Sequence, residues 1–224
     1  MHTPKIDSQE MKKEFFFLEE TDVVNEKTMC FEEKCYEIVL PLDEKEFEVV
    51  KLLAEINKTG PEIIDNVLHH IFYIRLSRVS EIMKKTKGRP VNVSLKDELV
   101  RIEVLDEDEN TVETYEILLP LPLAIALKEY IENRDSFSIF FAYWNGILWK
   151  VGPYGFREIK TAKELFSSTL CYQHECPHKH GIDFIVFPDG KIEILDEFIE
   201  CKIKWGEHEC KKVLKELYPN CKYL

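Results

Sequence analysis

An α+β fold built on a largely antiparallel sheet is what this sequence predicts, and three observations carry that expectation. Strand-like and helix-like segments alternate without the regular spacing of a parallel βαβ sheet. Asn145-Gly146 and Pro188-Asp189-Gly190 each separate two short β-prone runs, as hairpin turns do. The 224 residues, 45% hydrophobic and 32% charged, have globular composition and enough length to bury a core without disulfides.

Residues 1–13 are polar and carry no apolar period, so a frayed tail is expected there. Phe15 to Leu18 reads as a short strand, and Cys35 to Leu40 as a longer one closed by Pro41. Asp43 caps a helix to Asn57, with Phe47, Val50, Leu53, Ala54 and Ile56 on roughly one face. A long helix follows from Pro61 to Lys87, with proline at its start and Gly88 at its stop. Its apolar positions, from Ile64 to Met83, spread over more than one stripe and predict packing on both sides.

Val91 to Ser94, Leu99 to Leu105 and Val112 to Leu119 alternate as strands, with the acidic turn 106–110 between the last two. Pro122 opens a helix to Asn133. Phe137 to Trp144 and Ile147 to Val151 flank Asn145-Gly146, a pair suited to a type I′ turn. Aromatic residues fall on both faces of that hairpin, which reads as a two-sided core. Thr161 caps a short helix to Ser167, and Ile182 to Phe187 and Lys191 to Leu195 form a further hairpin. A strand near Phe198 to Lys204 and a helix from His208 to Leu217 complete the chain.

The expected division is a core over 1–160 and a Cys/His-rich C-terminal module over 161–224. Tyr36 to Leu42 and Tyr115 to Leu121 match at six of seven positions, which suggests a duplicated strand and helix unit within the core.

The formal charge of −12 repels phosphates on average and disfavours a general nucleic-acid coat. The longest apolar stretch, Ile117 to Leu127, is eleven residues long and broken by Pro120 and Pro122, so no membrane span is expected. The N-terminus carries no apolar signal region, and a cytoplasmic protein is the expectation. Only Gln9 and Gln173 are glutamine while Glu, Lys and Ile abound, a bias that fits a thermophile source.

The densest chemistry lies in Cys171, His174, Cys176, His178 and His180, five soft or borderline ligands in ten residues. Zinc takes four thiolate or imidazole ligands in a tetrahedron, so Cys171, His174 and Cys176 are candidate ligands. The fourth would be His178, His180, or a later residue among Cys201, His208, Cys210 and Cys221. Disulfides, including one between Cys30 and Cys35, and plain buried thiols are the competing readings. The catalytic zinc patterns His-Glu-x-x-His and His-x-Glu with Pro-Cys-x-x-Cys are not met, and no phosphate-binding glycine loop is spaced correctly.

A second signal is basic: Arg75, Arg78, Lys84, Lys85, Lys87 and Arg89 gather around the end of the long helix. A weak nucleic-acid contact is one reading, and offset of the helix dipole is the other. Together these features predict a non-catalytic binding or regulatory protein with a protein partner and a zinc- or disulfide-held C-terminal module. The alternatives are a metal-dependent hydrolase acting on nucleic acid and a nucleic-acid-binding module using residues 75–89.

Overall fold

The structure, a computed structural model, describes residues 18–20, 28–31, 34–38, 46, 62–136, 138–169 and 182–219. The chain divides into two compact units, residues 1–78 and 79–224. Helices combine with antiparallel and mixed sheets, which is the α+β class expected.

The first unit holds a three-stranded antiparallel sheet of β1 (Leu18–Glu20), β2 (Thr28–Phe31) and β3 (Lys34–Ile38), in the order β1-β3-β2. The strand β2, not separated from β3 in the sequence, forms a hairpin with it in which Cys30 stands opposite Cys35. The expected frayed tail lies outside the described residues. So does the expected helix over 43–57 apart from Glu46, which is helical.

Helix α1 (Glu62–Lys85) begins in the first unit and passes into the second. Along its described side chains the buried residues are Ile71, Phe72, Arg75, Leu76, Val79, Ile82 and Met83. At about 100° per residue these fall within an arc of about 140°. That corrects the two-sided packing expected: over this stretch the helix buries one stripe and turns Tyr73, Ser77, Glu81 and Lys84 outward. Thr86 Oγ1 donates to the Ile82 carbonyl at 2.9 Å, and Gly88, at φ 73°, ends the helix in the left-handed region.

The second unit opens with an antiparallel meander, β4 (Val91–Lys96), β5 (Leu99–Leu105) and β6 (Thr111–Leu118). The acidic turn between β5 and β6 is organised by Asp106, whose Oδ1 accepts from the Asp108 and Asn110 amides at 2.9 and 2.8 Å. Helix α2 (Leu121–Glu132) packs against β4 and β5 and also against three strands of the next sheet, residues 139–144, 147–152 and 183–186. Contact with two sheets explains why Leu123, Ala124, Ala126, Leu127 and Ile131 are all buried.

That next sheet has five strands in the order β11-β10-β7-β8-β9, comprising β7 (Ile139–Trp144), β8 (Ile147–Gly152), β9 (Gly155–Glu158), β10 (Asp183–Val186) and β11 (Ile192–Ile194). The pair β7 and β10 is parallel and the rest are antiparallel. Asn145 and Gly146 have φ of 52° and 70°, as a type I′ turn requires. Both faces of β7 and β8 are buried: Phe140, Ala142, Trp144, Trp149 and Val151 on one, Phe141 and Leu148 on the other. The sequence reading did not separate β9, four residues joined to β8 through Pro153-Tyr154.

The face bearing Phe141 and Leu148 is covered by α3 (Ala162–Phe166), α4 (Glu197–Trp205) and α5 (Glu207–Leu217). Thr161 and Glu164 form a reciprocal capping box at the start of α3. Residues 197–205 are helix where a strand was expected. Ile199, Cys201, Ile203 and Trp205 mimic a two-residue period, yet Ile199 and Ile203 are exposed while Glu197 and Cys201 are buried, one helical turn apart. Asp196 starts that helix by accepting from the Ile199 amide at 2.9 Å.

Residues on both sides of 160 share this core, since Phe141, Leu148 and Ile159 pack with Leu165, Cys201, Cys210 and Val213. The matched heptads occupy different places, Tyr36 in the central strand of its sheet and Tyr115 in an edge strand.

Candidate functional site

Strand register places several charged residues on the otherwise apolar face beneath α4. Lys150 lies beside Phe141 and opposite Arg157, and Asp183 lies beside Ile139. A cation and a carboxylate on a core-facing row need partners, because an uncompensated charge is costly away from water. Lys150 Nζ donates to the Ser168 carbonyl at 2.5 Å, and Arg157 Nη2 donates to Ser168 Oγ. Burial lowers the Lys150 pKa, and the Arg157 charge lowers it further, while the Asp183 carboxylate acts the other way.

Asp183 and Glu197 are each 5% exposed. Glu197 is the first residue of α4. Its carboxyl is pushed up to about 8, first by burial and then by its bond to Asp183 and the Asp183 charge. At neutral pH it therefore keeps its proton and donates toward Asp183. The cluster holds two cations, one carboxylate and one protonated carboxyl, gathered from β8, β9, β10, α4 and the end of the α3 turn.

The place of this cluster in the chain gives it meaning. Ser168 and Thr169 lead into residues 170–181, and Ile182 and Asp183 follow them. Lys150 thus interacts with both flanks of the Cys/His-rich segment, through the Ser168 carbonyl and the Asp183 charge. At the other end of the same face, Tyr143 donates to Glu200 Oε2 at 2.6 Å, and burial raises the Tyr143 pKa. Lys204 Nζ lies 6.0 Å from the Tyr143 ring and 5.4 Å from the Trp205 ring, close enough for cation–π attraction. These contacts seat α4 on the sheet.

No family model matches this chain, and neither does any curated protein or solved structure. Chemistry must be read from its own side chains.

Cys171, His174, Cys176, His178, His180 and Cys221 lie outside the described residues. Cys210 is bonded to Cys201, the two Cα atoms 6.0 Å apart and both side chains fully buried. A disulfide sulfur offers no thiolate, so neither residue can ligate zinc in this state. His208, the other candidate on α5, is separate from this bridge. It lies two residues from Cys210, with His208 exposed and Cys210 in the core. Among the described residues no three His, Cys, Asp or Glu side chains gather as a metal site.

The basic segment is divided as well. Arg75 is 2% exposed and makes a two-pronged bond to Glu46, Nε to Oε1 at 3.1 Å and Nη2 to Oε2 at 3.3 Å. It is thus an internal ion pair, not a phosphate contact. Arg78 is half-buried and has partners of its own. Arg89 pairs with Glu113 at 2.8 Å, and Lys85 lies 5.7 Å from the Tyr115 ring. Lys84, Lys85 and Lys87 are exposed.

Sequence reasoning missed Lys150, Ser168, Asp183 and Glu197. A signal was present: Asp183, Ile185 and Phe187 alternate on one face, so the carboxylate shares the core side with two apolar neighbours.

Proposed function

We propose that this chain is a non-catalytic binding or regulatory protein whose segment 171–180 holds a zinc ion. What supports the reading is the anchor: half-buried Lys150 bonds the Ser168 carbonyl on one flank of the segment that carries Cys171, His174 and Cys176 and is attracted by the Asp183 charge on the other, with Ser168, Asp183 and Glu197 buried around it. A short metal loop binds tightly when its ends are already held together, because less chain entropy is lost on closure. The fourth ligand comes from His178, His180, His208 or Cys221, and Cys210 is removed from the set by its disulfide. The disulfide joins α4 to α5 and keeps Glu197 seated over Asp183 whether or not metal is bound.

The test is thermal unfolding with and without a chelator. Chelation lowers the midpoint of the wild-type chain and leaves a Cys171→Ser/Cys176→Ser variant unmoved, because structural metal binding contributes folding energy. Equal midpoints for the wild type in both conditions would overturn the proposal. An open coordination position, read by X-ray absorption on the metal-bound chain, would turn it toward a metal-dependent hydrolase.

A further inference from the structure

Strand β11 is the outer strand of its sheet, and among the described residues nothing pairs with its far side. Its ladder to β10 is built around Glu193 opposite Ile185. The Phe187 amide donates to the Lys191 carbonyl at 2.9 Å, and the Leu195 amide to the Asp183 carbonyl at 2.8 Å. In that alternation the amides and carbonyls of Ile192 and Ile194 face away from β10. Their side chains are 39% and 68% exposed. An edge with two exposed β-branched residues and no proline is a template for a further strand.

We propose that this edge pairs antiparallel with the same edge of a second copy of the chain, about a twofold axis at Ile192. The charges select both the occupant and the register. Lys191 and Glu193 flank Ile192 and pair with each other within one chain. With Ile192 opposite Ile192 of the second copy, each Lys191 faces Glu193 of the other chain, twice over. An axis at Glu193 would instead set two carboxylates face to face, a destabilising arrangement. A self-complementary strand of this kind is what an isologous contact needs.

Sedimentation of the full chain tests the pairing. The wild type forms a concentration-dependent dimer. Glu193→Lys and Lys191→Glu each weaken it about tenfold, since each sets like charges opposite one another twice. An equimolar mixture of the two variants restores the dimer, because only the mixed pair places Lys opposite Glu throughout. Within each variant chain the local repulsion persists, so a mere folding defect would not be rescued by mixing. A wild type that stays monomeric at its solubility limit would overturn the proposal, as would variants that dimerise normally or a mixture that does not.

Discussion

Replacing Glu197 by Gln removes a proton that the folded chain holds more tightly than the unfolded chain does. The Glu197 carboxyl rises from an ordinary 4.5 to about 8 on folding. Below about pH 4.5 the group is protonated in both states and imposes no penalty. Between 4.5 and 8 the unfolded chain releases the proton and the folded chain keeps it, so stability falls as pH rises by about 1.4 kcal/mol per unit. Above 8 the loss is complete, on the order of 5 kcal/mol from this group. Gln supplies an amide donor toward Asp183 in place of the carboxyl proton and cannot ionise. Urea unfolding of both proteins from pH 4 to pH 8.5 isolates the contribution of the Glu197–Asp183 pair, because the titrating groups that do not face it cancel in the difference. The difference moves in favour of Glu197→Gln by that amount across the window. A difference independent of pH would refute the buried carboxyl pair.

Two further outcomes follow from the core and the first unit. Reducing Cys201–Cys210, or replacing both residues by Ser, lowers stability by about 2.6 kcal/mol from chain entropy at a separation of 9 residues, read as a shift in the denaturant midpoint with and without reductant. Arg75→Met leaves the buried Glu46 carboxylate without its guanidinium and costs about 3–5 kcal/mol, whereas Arg75→Met with Glu46→Leu recovers most of the loss, measured by the same unfolding series.

How much of this was legible depends on whether the signal was local. Asn145-Gly146 and the Thr161 cap were readable because turn and cap chemistry is written in adjacent residues. Helix α4 was misread because its exposed Ile199 and Ile203 carry the apolar period, and exposure is decided by tertiary packing. The Cys201–Cys210 bridge could not be chosen from seven cysteines, since it depends on how α4 turns into α5 at Gly206, at φ 85°. Arg75 belongs by sequence to a basic run, and only the fold sets Glu46, 29 residues away, across from it. Lys150 and Asp183 share a site only because β10 runs parallel to β7, a pairing that no hairpin signal announces.

The anchored segment is the centre of this account, and the metal content of the purified full chain tests it most directly. Elemental mass spectrometry finds about one zinc per chain in the wild type, and a content near zero in Cys171→Ser/Cys176→Ser with the Cys201–Cys210 bridge intact. A wild-type chain that purifies without metal and takes up none from added zinc would contradict it.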